Sequence, residues 1–269
     1  MAAIPVLMYH HVNAFPGKPE KGCDFITVEV NAFVRQMAFL HRHGYTTLST
    51  SDYLQIIRTG NTPPKPVMIT FDDGWLDNWV YAYPVLKSLN LKAVFFVITS
   101  LLPDNGLRKR MDEGFTGALP THSRCKAIVE SGRCADVMMS WDELREMEHS
   151  GLIDVASHTH THQRWDALPP EALYQDIVLS KTTIEKHLNK DCTALCWPWG
   201  LHREDYIKTA EKAGFNLLFT TIKGTNTAET NPLSLKRIPI GNAGVLNFRK
   251  KLLINSHYVL SSLYYRILK

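Results

Sequence analysis

Short apolar runs rich in β-branched and aromatic residues alternate along this chain with stretches whose apolar residues recur at helical spacing. The runs predict seven strands, at residues 5–9, 67–71, 92–98, 153–157, 193–197, 217–221 and 235–240. The stretches between them predict helices at residues 31–43, 51–59, 79–88, 141–150, 170–188 and 204–213. Such alternation is typical of an α/β fold in which crossover helices connect parallel strands. Seven strands indicate an incomplete (β/α) barrel rather than the eightfold one.

Residues 102–139 interrupt this alternation after the third predicted strand. The segment contains glycine, proline and charges of both signs, and it is too long for a plain connection. We expect either a lid or substrate-binding loop, or an insertion that only packs on the surface.

Composition limits the class of protein. The chain has 269 residues, of which 45% are hydrophobic and 21% charged, as in an ordinary soluble domain with one large core. A formal net charge of +4 is too small to indicate nucleic-acid binding. The sequence therefore predicts a globular protein with no nucleic-acid partner, and it does not indicate an oligomeric state.

Cysteine usage and the N-terminus bear on location. The five cysteines have no regular spacing, and Cys125 and Cys134 are a weak candidate pair, so reduced thiols are expected. The first residues lack the features of a secretory signal, and no apolar run reaches the ~20 residues needed to cross a bilayer. These features favour a cytoplasmic location.

The C-terminal segment, residues 249–269, is basic and amphipathic. It contains five lysine or arginine residues and no acidic one. Seven residues, all apolar except the serine, recur at helical spacing; they are Leu252, Leu253, Ser256, Val259, Leu260, Leu263 and Ile267. Two interpretations are open: a helix lying on an anionic membrane surface, or a helix packed on its own barrel.

An acidic pair follows the second predicted strand. Asp72 and Asp73 come directly after an apolar run and precede Gly74, which permits a sharp turn. Two neighbouring carboxylates in a partly buried cleft repel each other unless a cation intervenes. The pair therefore indicates a metal site in which the two carboxylates have different roles, although a simple Asp-Asp-Gly turn is the alternative.

Three histidines follow the fourth predicted strand, at His158, His160 and His162. All three share a face if the segment is extended, whereas His158 and His162 become neighbours if it forms a helical turn. Either arrangement can bind a metal, and two imidazoles with one carboxylate are typical of a catalytic rather than a structural site. Because strand ends gather at one rim of a barrel, the histidines are expected to lie beside the acidic pair.

Three motifs together resemble those of the polysaccharide deacetylases, the NodB-homology group within carbohydrate esterase family four. They are residues 70–74 (Thr-Phe-Asp-Asp-Gly), 157–162 (Ser-His-Thr-His-Thr-His) and 197–200 (Trp-Pro-Trp-Gly). The resemblance extends over about residues 5–240, and residues 6–12 and 236–240 resemble the branch that acts on poly-N-acetylglucosamine. It implies a distorted (β/α)7 barrel, with a deacetylase domain at residues 1–248 and the basic segment after it.

The resemblance also implies roles for the acidic pair and the histidines. Asp73, His158 and His162 are expected to hold a divalent metal, with Asp72 as the general base and His160 as a bystander. Zinc is the first expectation for this ligand set, and iron, cobalt or nickel would also fit it.

Two further catalytic residues are expected where the chain departs from the common family pattern. Cys196 stands where the family usually has the arginine that orients the base, and Arg237 is the candidate replacement. A late histidine motif is absent, and His10 matches the N-terminal histidine that supplies the general acid in the poly-N-acetylglucosamine branch. His11 is expected to point to the other side. The alternatives are a surface charge for Arg237 and a strand-capping hydrogen bond for His10.

Aromatic residues near the motifs are candidates for binding a sugar. The backbone N–H of Trp199 is expected to stabilise the oxyanion, and Trp197, Pro198 and Trp75 are expected to line the substrate site. Trp165 is a weaker candidate. Each tryptophan could instead belong to the core, and one or two exposed indoles are expected.

The predicted activity is removal of the N-acetyl group from an N-acetylhexosamine in a glycan or a lipid-linked sugar. One alternative is a metal-dependent amidase or esterase that acts on a small non-sugar acetamide. The other is a glycan-binding module with a degenerate site, which the intact acidic pair and histidines argue against.

Overall fold

The computed structural model of the chain describes residues 2–14, 26–104, 106–167, 169–242 and 244–267. The strands within these ranges are β1 (Val6–Tyr9), β2 (His11–Asn13), β3 (Thr27–Glu29), β4 (Thr46–Thr47), β5 (Pro66–Phe71), β6 (Ala93–Val97), β7 (Ile153–Ser157), β8 (Ala194–Cys196), β9 (Leu217–Lys223) and β10 (Leu235–Pro239).

Seven of these strands form a closed parallel barrel. The order is β1-β10-β9-β8-β7-β6-β5, and β5 pairs back with β1. The barrel strands are those predicted from the apolar runs, so the (β/α)7 barrel is confirmed. Three short strands were not predicted. β4 extends the sheet beside β5, while β2 and β3 pair only with each other. With two or three residues each, they are too short to show a periodicity.

Helices cover the outside of the barrel. The α-helices are α1 (Val30–Arg42), α2 (Thr50–Thr59), α3 (Tyr83–Ser88), α4 (His122–Glu130), α5 (Trp141–His149), α6 (Pro170–Leu188), α7 (Glu204–Lys212), α8 (Val245–Asn255) and α9 (Tyr258–Ile267). A π-helical turn, Asn78–Ala82, precedes α3. Short 3₁₀ turns lie at Thr99–Leu101, Met111–Glu113, Cys134–Asp136, Trp165–Ala167, Pro198–Gly200 and Pro232–Ser234. The six predicted helices are confirmed to within a few residues, except that the third starts as the π turn.

The insertion at residues 102–139 packs on the barrel. Arg108 forms a salt bridge of 2.6 Å with the buried Glu143 of α5. A small apolar cluster joins the insertion to the loop after β5; it comprises Trp75, Cys125, Ile128, Val137 and Met138. The helix of the insertion, α4, was not predicted. It begins at His122, and this residue reaches the region of the acidic pair.

The C-terminal segment forms two helices rather than the single helix expected. Phe248 and Leu252 of α8 are buried in the barrel core, so the predicted boundary after residue 248 falls inside a helix that packs on the barrel. The first helix ends at Asn255 and the second begins at Tyr258, and two side chains at the end of α8 donate to its carbonyls. The Asn255 amide donates to the carbonyl of Lys251, and the Ser256 hydroxyl donates to that of Leu252.

The cysteines and the apolar helices bear on two further expectations, a disulfide and a membrane span. Cys125, Cys134, Cys192 and Cys196 are free thiols, so the weak candidate pair is not formed. Cys23 lies outside the described residues. Within the described ranges, no helix is both long and apolar enough to span a bilayer.

Candidate metal and active site

The predicted polar residues meet at the carboxyl-terminal edge of the barrel. Asp72 and Asp73 directly follow β5, and His158 directly follows β7. Because β6 pairs in parallel with both strands, the three side chains reach the same rim. Each residue has at most 8% of its surface exposed. Ionisable groups from separate strands are thus gathered in a largely buried site.

Three donor atoms converge at this rim. Oδ1 of Asp73 lies 3.4 Å from Nε2 of His158 and 3.6 Å from Nε2 of His162. Donor atoms that surround a tetrahedral zinc at ~2.1 Å stand about 3.4 Å apart. The three residues therefore fit a divalent metal, and their number leaves coordination positions for water and substrate.

The two imidazoles differ in protonation: burial acts to lower the pKa of His158, but Cys196 and Asp73 outweigh it and hold the pKa well above its usual value. Nδ1 of His158 donates to the carbonyl oxygen of Cys196 at 2.8 Å, which leaves Nε2 as the nitrogen that faces Asp73. Burial, and next the charge of His158, lower the pKa of His162 to about 4. This histidine is thus held in the neutral form that binds metals.

The turn after β7 brings the two histidine rings to one side. Thr159 and His162 have φ values of 67° and 54°, and the His162 N–H donates to the Thr159 hydroxyl at 3.0 Å. The carboxylate of Asp176 in α6 accepts from the N–H groups of His160 and the residue after it. The segment is therefore a tight turn rather than an extended or helical one. His160 points elsewhere, with Nδ1 2.8 Å from the hydroxyl of Thr99.

Backbone strain is concentrated at the same rim. In the described part of the chain seven non-glycine residues have positive φ, and four of them lie here: Asp73, Thr159, His162 and Trp199. Left-handed conformations at such residues cost about 1–3 kcal/mol each and persist where surrounding contacts impose them, commonly at functional sites. The strain supports a functional interpretation of the turns that carry the donor atoms.

A buried arginine from the last strand holds Asp72. Nη1 and Nη2 of Arg237 donate to Oδ1 and Oδ2 of Asp72 at 2.7 and 2.8 Å, and Nε donates to the Thr220 carbonyl at 2.8 Å. Arg237 is fully buried, so the alternative of a surface charge is wrong. Burial acts to raise the pKa of Asp72, but the charge of Arg237 and nearby imidazoles outweigh it and the pKa lies below its usual value. Asp72 is therefore ionised and fixed in orientation.

Asp72, His158 and Cys196 form a second group of potential metal donors. The Cys196 sulfur lies 3.9 Å from both oxygens of Asp72. However, the guanidinium of Arg237 already engages both oxygens, and burial raises the pKa of Cys196 and so disfavours the thiolate that binds metals. The group around Asp73 is the better metal site.

His10 follows β1 and lies beside the same carboxylate. Its Nε2 is 3.7 Å from Oδ2 of Asp72, and about a fifth of the side chain is exposed. Burial lowers the pKa of His10, although Asp72 and Asp73 act in the opposite direction. The imidazole therefore lies beside Asp72 at the rim, with part of its surface accessible.

Most of the predicted sugar-binding aromatics are buried. Trp197 is 0% exposed, Trp165 2% and Trp75 5%, and the side chain of Pro198 is also buried. These side chains therefore offer almost no surface to a sugar in this structure, because the core or the insertion covers them. Trp199 is the exception, with 57% of its surface exposed. The expectation that one or two indoles are exposed is met by this residue.

Asp73, His158 and His162 are called the metal group below. The exposed indole of Trp199 lies next to it. Its ring centre lies 5.5 Å from that of His162. The residue occupies a turn directly after β8 with φ of 60°, and a side chain at Gly200 would collide with Thr221. Both features hold the Trp199 turn at the rim of the site.

A second, largely buried network lies behind Asp73, and the parts that Asp77 and His122 play in it were not predicted. Nδ1 of His11 lies 2.7 Å from a carboxylate oxygen of Asp77, and its Nε2 lies 3.0 Å from Nδ1 of His122 in the insertion. The His11 ring stacks on Trp75, whose Nε1 donates to Oδ2 of Asp73 at 2.9 Å. His11 therefore faces away from Asp72, as expected. In this structure Trp75 donates its hydrogen bond to a proposed metal ligand, Asp73.

Replacing Trp75 with phenylalanine should weaken metal binding. The change removes the hydrogen bond to Asp73 but keeps an aromatic ring against His11. Loss of a partner behind a metal ligand typically lowers affinity about 10–100-fold. Competition with a chromogenic chelator measures the affinity.

Trp79→Phe is the matched control, because the Nε1 of this buried tryptophan donates instead to the Arg108 carbonyl. We expect its metal affinity to equal that of the unaltered protein. If Trp75→Phe also binds metal with unchanged affinity, the hydrogen bond does not support the ligand.

Comparison with known proteins identifies the family of the chain. A family model described as polysaccharide deacetylase matches residues 59–218, more than half of the chain. The chain belongs to the polysaccharide deacetylase family. Membership places it among carbohydrate N-deacetylases, which are hydrolases that cleave an amide C–N bond.

Relatives of this family member include two curated proteins. YxkH of Bacillus subtilis, named for the polysaccharide deacetylases, is 27% identical over 240 residues, which cover 89% of this chain and 72% of YxkH. A poly-beta-1,6-N-acetyl-D-glucosamine N-deacetylase of Staphylococcus aureus is 25% identical over 226 residues, covering 80% of this chain and 68% of that protein.

Solved structures also resemble this deacetylase. The Streptococcus pyogenes deacetylase PplD superposes with a TM-score of 0.74 at 24% identity, covering 93% of this chain and 98% of PplD. That likeness shows the fold. A de-N-acetylase from Aggregatibacter actinomycetemcomitans gives a TM-score of 0.70 at 26% identity, covering 91% and 99% of the two chains.

Proposed function

We propose that this deacetylase is metal-dependent and removes the N-acetyl group from an N-acetylhexosamine in a glycan or a lipid-linked sugar, releasing acetate. The observation that carries the proposal is the pair of carboxylates at the end of β5. The donor atoms of Asp73, His158 and His162 lie close enough together to bind one metal ion. The neighbouring Asp72 instead accepts two hydrogen bonds from Arg237. The relative from Staphylococcus aureus supports an N-acetylglucosamine unit as the substrate.

Asp73, His158 and His162 would hold the metal. A divalent ion bound by two imidazoles and one carboxylate acts as a Lewis acid that polarises the acetamide carbonyl and makes water more acidic. Zinc is the first candidate, and iron, cobalt or nickel fit the same ligands.

Asp72 is proposed as the base that takes a proton from the attacking water. Arg237 fixes the plane of the carboxylate through two hydrogen bonds and keeps it ionised. The backbone N–H of Trp199 is proposed to stabilise the negative charge that develops on the carbonyl oxygen. The exposed indole of the same residue is proposed to stack on the sugar.

His10 is proposed to donate a proton to the leaving amine. Its Nε2 lies 3.7 Å from Oδ2 of Asp72, so the proposed acid and the proposed base face the same site from neighbouring positions. An imidazole whose pKa is lowered by burial is the stronger acid once it is protonated. A proton from His10 is thus released readily as the amide C–N bond breaks.

Acetate release tests the proposed function. Metal-depleted protein is supplied with one defined metal at a time and assayed on free, polymeric and lipid-linked N-acetylhexosamines and on a small non-sugar acetamide. We expect metal-dependent release from at least one sugar class. Release from the simple acetamide alone would favour the amidase, and the absence of release with every metal would contradict the proposal.

The role of His10 predicts a difference between substrates. His10→Ala should reduce turnover of the amide by ~10²–10⁴-fold with substrate binding retained. An activated acetate ester should lose much less, because its leaving group needs no proton. Measuring kcat and KM for both substrates separates the cases, and equal losses would leave His10 a structural residue.

A further inference from the structure

The last two helices expose an unusual amount of apolar surface. Among the described residues twelve large hydrophobic side chains are exposed, and seven of these belong to α8 or α9. Four of them form what we call the outer face of α9: Val259, Leu260, Leu263 and Ile267, which are 67%, 50%, 48% and 82% exposed.

The opposite side of α9 is the side that contacts the protein. The Ser261 hydroxyl is buried and donates to the amide oxygen of Asn255 in α8. The Asn255 amide nitrogen in turn donates to the hydroxyl of Tyr265 at 3.4 Å. At 3.6 residues per turn, Ser261 and Tyr265 lie roughly opposite the outer face. α9 thus packs through polar groups and turns its apolar stripe away from the core, the reverse of an ordinary surface helix.

The charged side chains of this C-terminal segment are all positive. Arg249, Lys250 and Arg266 are exposed, and residues 249–269 contain no acidic side chain. An apolar face flanked by lysine and arginine is the composition of helices that lie in an anionic lipid interface. A second copy of the same surface would meet it with like charges, so self-association is the less favoured way to cover it.

We propose that the outer face of α9, together with the exposed basic residues of α8 and α9, docks on an anionic lipid membrane. The docking surface is joined firmly to the catalytic domain, because Phe248 and Leu252 of α8 are buried in the barrel core. Lys251 donates from Nζ to the Pro239 carbonyl at the end of β10, so the helical pair starts at the rim that carries the site.

Vesicle co-sedimentation of the full chain tests the proposal without relying on its catalytic activity. Vesicles of phosphatidylcholine alone are compared with vesicles that also contain phosphatidylglycerol, at low and high salt. The chain should pellet with the anionic vesicles at low salt and be released by high salt. Lys250→Gln combined with Arg266→Gln should weaken binding about 30-fold. Leu260→Gln combined with Leu263→Gln should abolish it.

Leu107→Gln combined with Leu179→Gln provides the matched control, because both leucines are exposed, at 58% and 48%, and lie outside the two helices. This control should bind as the unaltered chain does. All the substitutions are on the surface, so equal melting temperatures should verify folding. The proposal is overturned if the unaltered chain stays in the supernatant with anionic vesicles at low salt. It is also overturned if the chain sediments alone and the apolar variant stops this, since a second copy would then cover the face.

Discussion

Asp73→Ala is expected to leave the protein without metal, whereas Asp72→Asn is expected to retain the metal and lose hydrolysis. Asp73 shares the donor group with His158 and His162, while Asp72 is engaged by Arg237. Removing a general base typically lowers turnover ~10²–10⁴-fold. Metal analysis of the purified variants, together with acetate release at saturating metal, separates the two carboxylates.

His160→Ala is the control for this experiment, because His160 lies in the same turn but bonds to Thr99 instead of the metal group. It should keep stoichiometric metal. A metal-free Asp72→Asn beside a metal-loaded Asp73→Ala would show that the roles of the two carboxylates are reversed.

Arg237→Met is expected to be the most damaging single change to stability. It leaves the buried carboxylate of Asp72 without its cation, and breaking a buried ion pair costs about 3–5 kcal/mol. Hydrolysis should fall as well, because the base loses the two hydrogen bonds that fix its plane. Denaturant unfolding measures the free energy of unfolding, and acetate release measures the activity.

A double-mutant cycle distinguishes pairing from packing. Asp72→Asn combined with Arg237→Met removes both charges, so it should unfold with a smaller loss than the sum of the single losses while remaining inactive. Arg133→Gln, which breaks an exposed ion pair with Asp136, should change stability little. Strict additivity in the cycle would contradict the coupling between Asp72 and Arg237.

The barrel was predictable because its strands are buried on both faces. All five residues of β6, for example, are buried, and such a continuous apolar run is visible in the sequence. The short β2 and β3 carry no such signal. The interruption between α8 and α9 was not predicted either, because apolar residues recur at helical spacing on both sides of it.

The positions of the acidic pair and the histidines also followed from the sequence, because strand ends meet at one rim. Burial of the tryptophans did not, since an indole suits a core as well as a sugar surface. The contacts of His11 with Asp77 and His122 join residues 66 and 111 positions apart. Only the folded chain brings these residues together. The sequence indicated no more than that His11, next to His10, would point to the other side of the strand.

X-ray diffraction from crystals of the metal-loaded protein, recorded at the absorption edge of that metal, tests the central claim most directly. We expect an anomalous peak ~2.0–2.2 Å from Oδ1 of Asp73 and from Nε2 of both His158 and His162. The claim is contradicted if metal-loaded crystals show no peak within reach of these three atoms. It is equally contradicted if the peak lies instead between Asp72 and Cys196.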